Sequence, residues 1–506
     1  MKTDPKEQEN SWIWHQGMKN PSIFPWNFYR VIACSIALFS TLYFVYCVSF
    51  LNSSNRNAAI NITRSSVKLD YISPQVSDPA LSQSLQKAPE KTSLHHIVFG
   101  IAASSRFWNR RKEYIKLWWR PKQMRGAVWL DKPVANGTDD HLLPPTKISG
   151  DISRFKYENR RGHRSAIRIS RIVSETSRLG LEDVRWFVMG DDDTYFVPEN
   201  IVSVLSKYDH TQFYYIGSSS ETHAQNINFS YGMAFGGGGF AISYPLAKAL
   251  EKMQDRCIER YPALYGSDDR IQACMSELGV PLTKEPGFHQ FDVFGNVFGL
   301  LAAHPIAPLV SLHHLDVVEP IFPDMDRVKA LKQLTKPIKL DSAGLMQQSV
   351  CYDKTRSWTV SVSWGYAVQI IRGIISVREL EVPARTFFHW YKRADKYGYS
   401  FNTRFLSNHV CEKPFIYYLS NASFDRTTAN QTVSKYVRSH LQKPDCKWNM
   451  ADPSRINIVE VYKRPDPHVW EKPPRRNCCK VLPKKKQDTM EVDVRPCRED
   501  EVIELW

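Results

Sequence analysis

The sequence predicts an α/β domain with a mainly parallel sheet over residues 94–340, then a β-rich C-terminal region over 345–506. Short apolar runs of strand length alternate with segments of helical period in the order β-α-β-α-β-α between 96 and 208. From about 345 the period becomes two, which suits antiparallel strands with one buried face. A third observation adds a single N-terminal transmembrane helix. Residues 31–51 are 21 residues without a charge. At about 1.5 Å per residue they cover roughly 30 Å, the thickness of a bilayer core.

A cleaved signal peptide would have an apolar region of about 7–15 residues nearer the N-terminus. Here a polar head over 1–30 comes first, so a retained signal-anchor is expected over 31–51, followed by a stem over 52–93 rich in Ser, Asn, Gln and Pro. Lys2, Lys6, Lys19 and Arg30 precede the span, while Arg56, Arg64 and Lys68 follow it, so charge leaves its orientation nearly undecided. Glycosylation sequons at Asn52, Asn61, Asn136, Asn228, Asn421 and Asn430 all follow the span and point to a lumenal or extracellular body. Cys257, Cys274, Cys351, Cys411, Cys446, Cys478, Cys479 and Cys497 would then meet an oxidising environment. Their even number permits disulfides without revealing the pairing.

In the body, HIVFGIAA (96–103) suits a buried parallel strand, and RRKEYIKLWW (110–119) a helix ended by Pro121. GAVWLD (126–131) is a second strand. Ala166, Ile169, Ile172, Val173 and Leu179 recur at helical spacing until Gly180. VRWFVMG (184–190) is a third strand, and Pro198 opens the next helix. Further on, Trp358, Val360, Val362, Trp364, Tyr366, Val368 and Ile370 share one parity, which predicts one long strand. PFIYYL (414–419) and RINIVEVY (455–462) also read as strands. With 42% hydrophobic and 24% charged residues over 506 positions, the chain is globular and long enough for two or three domains. Collagen, coiled-coil, polytopic membrane and low-complexity classes are excluded. The net charge of +15 permits an anionic partner without naming one.

Asp191, Asp192 and Asp193 directly follow the third strand, where ligands of parallel α/β sheets bind. Three adjacent carboxylates repel unless a cation sits among them, and hard oxygens suit Mg²⁺ or Mn²⁺. The bland alternative is a solvated acidic turn or a helix cap. FGGGGF (235–240) allows close backbone approach to a ligand, or is a flexible loop. It lacks the Lys and Ser/Thr of a phosphate-binding loop. Asp268 and Asp269 open a helix, which the helix dipole explains by itself; the sharper reading is a general base. His313 and His314 are a surface turn, or one imidazole completes a metal site.

Strand–DDD, GGGGF, a DD pair opening a helix and HHLD, in that order, resemble the fringe-like glycosyltransferases of family 31. VMGDDDTYFVPENIVSVL, FGGGGFAIS, GFHQFDVFGN and LVSLHHLD look closer still to plant fringe-related proteins, which carry a C-terminal domain of unknown function 604. The resemblance covers about 95–330, and extends to about 500 for the plant subgroup. It implies a GT-A fold, a UDP-sugar donor, Mn²⁺ or Mg²⁺, inversion and a β-1,3 linkage to a glycan or glycoprotein acceptor. The anchor and stem suit a type II protein of the Golgi membrane. Residue by residue, it implies Asp193 as metal ligand, with Asp191 and Asp192 on metal waters or donor ribose. It implies Asp269 as catalytic base, beside Asp268, and brings Gly236, Gly237, Gly238 and Gly239 close to donor or acceptor. His314 is the expected second metal ligand, with His313 the fallback. Gly-Ser-Asp-Asp-Arg departs from fringe, which has Pro before its pair. The alternative function is a non-catalytic Golgi glycan-binding or scaffold protein on the same fold. The anchor and sequons argue against a nucleic-acid partner.

Overall fold

The computed structural model describes residues 34–46, 91–134, 140–392, 395–425, 430–439, 446–483 and 487–503. Residues 34–46 are helical. The two ends of the expected 31–51 anchor, and the expected stem up to residue 90, lie outside the described residues. Among the described residues no helix is long and apolar enough to cross a membrane. The elements below all belong to one compact unit, 87–506.

The first half supplies strands β1 (Ile97–Ala102), β2 (Arg125–Leu130), β3 (Thr146–Ile148), β4 (Trp186–Asp191), β5 (Tyr195–Phe196), β6 (Tyr215–Gly217), β7 (Phe240–Ser243), β8 (Leu282–Lys284), β9 (Phe288–His289), β10 (Val293–Gly295) and β11 (Ser311–Leu312). Seven of them form a sheet in the order β3-β2-β1-β4-β7-β6-β8. Its pairs are parallel except where β7 runs antiparallel between β4 and β6. The result is a mixed α/β layer with a mainly parallel sheet. Every residue of β1 is buried, so the strand reads as a continuous apolar run without alternation. The helix Ser165–Ser177 lays Ile172 and Val173 against Val98 and Phe187 of the sheet. Gly180, at φ +65°, closes that stretch. The helix Pro198–Leu205 begins with its proline in the first turn, where no amide donor is lost.

The second half supplies β12 (Gln348–Asp353), β13 (Trp358–Ser363), β14 (Ala367–Arg372), β15 (Phe387–His389), β16 (Phe415–Phe424), β17 (Thr432–Arg438), β18 (Ile458–Lys463), β19 (Cys478–Val481) and β20 (Thr489–Arg495). Eight form a sheet in the order β12-β13-β14-β16-β17-β18-β20-β19, antiparallel except for β18 with β20. The single strand expected over 357–370 is two strands, paired as a hairpin. Gly365, at φ +77°, turns the chain between them. Both faces of β13 are buried. The polar parity is accommodated by hydrogen bonds, such as Thr359 Oγ1 to Gly373 O at 2.7 Å and Ser363 Oγ to Leu301 O at 3.0 Å.

One apolar core runs through both sheets, from Val188 and Leu312 through Leu345 to Val360 and Tyr436. β15 leaves the second half to pair with β10 of the first. A buried Lys463–Asp341 ion pair also joins the halves. The eight body cysteines pair as Cys257–Cys274, Cys351–Cys479, Cys411–Cys446 and Cys478–Cys497.

Candidate active site

β4 carries the Asp triplet to the carboxyl end of the sheet centre, and β5 follows at once. β5 pairs antiparallel with β11, with Tyr195 opposite Leu312. This register sets the residue after β11, His313, against the triplet some 120 positions earlier in the chain. His313 Nε2 lies 3.2 Å from Asp193 Oδ1 and 3.6 Å from Asp191 Oδ2. One ligand atom from each of Asp191, Asp193 and His313 lies within 4.8 Å of the others. Asp193 is 2% exposed, and its Oδ1 and the Nδ1 of His313 are buried without a well-aligned hydrogen bond. Two carboxylates with one imidazole this close and this buried suit a divalent cation. The donor set therefore fits a metal ion.

The glycine run is a single 3₁₀ turn, Gly236–Gly238, that leads into β7. Its backbone lies directly on the site. A Cβ at Gly237 would clash with the His313 ring, 2.0 Å from its Cε1, and one at Gly236 would sit 2.6 Å from Asp268 Oδ1. Thr194 ties this turn to the triplet. Its Oγ1 accepts from Asp191 N at 2.8 Å and donates to Gly237 O at 2.7 Å.

Arg111, on the helix Trp108–Trp118, is the resident cation. It contacts Asp192 at 2.8 Å, Asp193 at 3.1 Å and Asp316 at 2.9 Å. Burial works against its charge, but the Asp193 and Asp192 carboxylates outweigh that and hold it firmly protonated. Tyr114 donates to Asp316 at 2.9 Å. Burial likewise opposes ionisation of Asp193, yet His313, Arg111 and His314 hold its carboxyl well below the usual range. Asp192 is pushed up to about 6 by burial, even with Arg111 beside it. Asp191 is pushed up to about 8 by burial and by Asp193, Asp268 and Asp192. Its side chain is 36% exposed, so solvent screens part of that repulsion. A cation among these carboxylates would relieve it.

The acid pair divides. Asp268 is half-buried and lines a cavity with Asp191, Gly190 and Gly236. Burial pushes its carboxyl up to about 6, against hydrogen bonds from the Gly236 amide and Ser267. Asp269 instead accepts from the backbone amides of Tyr265 at 2.8 Å and Gly266 at 3.0 Å, bracing the turn that opens the helix Asp268–Glu277. Burial raises its pKa.

The histidines reverse the expected order. His314 has φ +54°, and its Nδ1 meets Asp292 Oδ1 and Phe291 O, each at 3.2 Å. Its ring stacks on Trp390 at 5.0 Å. His313, the fallback on sequence, reaches Asp193. The two rings lie side by side, 4.1 Å between centroids, but the Nδ1 of His314 is engaged by Asp292 and Phe291 while the Nε2 of His313 meets the carboxylates, and spacing alone could not show this. Sequence reading also missed Arg111, Tyr114 and Asp316. The available signals were the Arg110–Arg111 pair after the first strand and the acid that closes HHLD.

A Fringe-like family profile matches residues 92–297. The lunatic fringe β-1,3-N-acetylglucosaminyltransferase of Xenopus laevis is 25% identical over 195 residues, covering 36% of this chain and 48% of that protein. The β-1,3-glucosyltransferase of Mus musculus is 32% identical over 107 residues, 21% of each chain. The β-1,3-glucosyltransferase of Homo sapiens is 31% identical over 105 residues, 21% of this chain and 20% of that one. The chain thus spans between a fifth and a half of these relatives' lengths. A second profile, described as "Protein of unknown function, DUF604", matches residues 225–479, half of the chain. The chain belongs to the DUF604 family and carries a Fringe-like domain.

Proposed function

We propose that this protein is a metal-dependent, inverting glycosyltransferase that moves a sugar from a UDP-sugar to a hydroxyl of a glycan or glycoprotein, forming a β-1,3 linkage. The observation that carries this reading is the convergence of Asp191, Asp193 and His313 beside the Gly236–Gly238 turn and Asp268. Mn²⁺ or Mg²⁺ held by those three residues would stabilise the charge of the departing diphosphate. Arg111 keeps Asp192, Asp193 and Asp316 in register. The side-chain-free turn lets the donor lie against backbone. Asp268 is the base. It takes the acceptor hydroxyl's proton as that oxygen attacks the anomeric carbon from the face opposite the diphosphate. Asp269 holds the turn that presents Asp268. The names of the relatives support transfer with β-1,3 linkage.

The same proposal sets the protein in the Golgi membrane as a single-pass type II chain with a lumenal body. Four disulfides support an oxidising compartment, and the described sequon residues Asn228, Asn421 and Asn430 are exposed. Endoglycosidase treatment should increase the gel mobility of the cell-expressed chain; an unchanged band removes the lumenal reading.

The activity is tested by titrating the purified full chain with UDP-sugars, with Mn²⁺ or with EDTA, and following thermal unfolding. A ligand that binds only the folded state raises Tm. One UDP-sugar should raise Tm in Mn²⁺ alone, and Asp193→Ala should lose that rise. No rise with any UDP-sugar, in a chain that unfolds cooperatively, sinks the proposal.

A further inference from the structure

A second cavity lies where the two family segments meet, and the mechanism above does not use it. Its volume is about 380 Å³, within the roughly 300–1,000 Å³ of small-molecule pockets. Ser218, Ser219, Ser220 and Glu221 come from the stretch after β6, within the Fringe-like match only. Glu381, Ser400 and Phe401 come from the far segment, within the DUF604 match only. The two are stitched together. Ser400 N donates to Glu221 O at 2.9 Å, and Ser400 Oγ donates to Ser220 O at 2.8 Å.

The lining says what would fit. Phe288 and Phe401 supply apolar walls, and Ser218 and Ser219 supply hydroxyls, while those of Ser220 and Ser400 donate within the fold. His289 and Glu221 form a buried pair at 3.1 Å. Glu381 adds a carboxylate at the rim, where Arg476 reaches it at 3.3 Å from outside the lining. Among the described lining residues there is no lysine or arginine. A phosphate, a nucleotide or a uronate would meet carboxylates without a compensating cation inside, an unfavourable match. Hydroxyl-rich, uncharged ligands use aromatic walls and hydroxyl or carboxylate acceptors together.

The cavity is also coupled to the catalytic group. Ser218 O accepts from Phe235 N at 3.1 Å, immediately before the glycine turn. Ser220 Oγ donates to Asp292 Oδ2 at 2.6 Å, and Asp292 Oδ1 meets His314 at 3.2 Å. β9, which ends in His289, pairs in parallel with β11, which leads to His313.

We propose that this cavity binds a neutral saccharide unit of the acceptor glycan, and that the DUF604 segment completes it. This rests on the transferase reading and extends it by naming the acceptor's chemical class and anchoring site. The test uses the full chain and linear β-linked trisaccharides of glucose, xylose, galactose and N-acetylglucosamine. Trigalacturonic acid is the charged control. Binding is read by calorimetry in wild type, Ser219→Trp, which fills the cavity, and Phe401→Ala, which removes a wall. At least one neutral trisaccharide should bind, and both variants should weaken it tenfold or more while keeping the Mn²⁺-dependent UDP-sugar shift in Tm. That retained shift also certifies folding. The proposal is overturned if no neutral trisaccharide binds a wild type that does bind UDP-sugar. It is equally overturned if the variants bind unchanged or the uronate is preferred. Saccharide binding sensitive to both variants, without any UDP-sugar shift, would uphold the cavity and remove the transferase reading.

Discussion

His313 and His314 are adjacent, yet one faces the carboxylates and the other faces Asp292 and Trp390. Their loss should therefore differ in kind. His313→Ala should abolish Mn²⁺-dependent stabilisation by UDP-sugar. His314→Ala should weaken it only by the about 10–100-fold typical of residues behind a metal ligand. Equal effects in a thermal titration would return the ligand role to His314. Gly237 has no room for a Cβ beside His313. Gly237→Ala should lower stability by about 1–3 kcal/mol, as overpacking does, and weaken donor binding; denaturant unfolding checks the first and titration the second. For Asp268, the folded carboxyl is raised from 3.8 to about 6, chiefly by burial. The group therefore supports the fold in acid and loses that support as pH rises from about 4 through 6. Asp268→Asn should accordingly gain in Tm relative to wild type over that interval. Transfer needs the ionised base, so the wild-type rate should climb with pH through about 6. Asp268→Asn should bind donor without transferring, while Asp269→Asn should lose stability as well. Full turnover in Asp268→Asn would remove it as the base.

The acid pair depends on two helices. Tyr244–Arg260 and Asp268–Glu277 are joined by Cys257–Cys274, which closes a loop of sequence separation 17. Loops of about that size confer about 3 kcal/mol through the unfolded chain. The Cys257→Ser/Cys274→Ser double variant should lose stability on that order in chemical denaturation, and its transfer rate should fall as Asp268 loosens. An unchanged midpoint would show that helix packing alone carries this corner. The two-residue strands β5 and β11 matter for the same reason. Neither has enough length to stand out by periodicity, yet their pairing brings Asp193 and His313 together. The β13–β14 hairpin was misread for a related cause. Alternation continued through Gly365 because strands on either side share the same core, so parity could not locate the turn.

Across the whole body, the two sheets are not separable units. They share one core, β15 pairs with β10, and Tyr366 OH donates to Ile321 O at 3.0 Å. A chain ending at residue 344 would lose Leu345, Val360 and Tyr436 from the core that Val188 and Leu312 share with them. Such a truncation should give insoluble protein or a non-cooperative melt, even though it keeps every residue of the metal group. A soluble, cooperatively melting fragment that binds UDP-sugar would refute that dependence.

From its sequence alone, the chain determined the alternation of β1, β2 and β4 with helices, though not the short β3 and β5 between them, the position of Asp191–Asp193 at a strand end and the mainly antiparallel character of the second half. Each is a local property, set by side-chain period, β-branched runs and turn residues. The order of its motifs also carried the fringe-like resemblance. Tertiary structure decided what depends on contacts far apart in the chain. It set His313 rather than His314 against Asp191 and Asp193, placed Asp268 in the cavity that Asp191 lines, brought Arg111 and Asp316 into the carboxylate cluster, and paired the cysteines. Those outcomes follow from strand register and from one core spanning both sheets. Side-chain direction and long-range register have no local signature, so no period or spacing could reveal them.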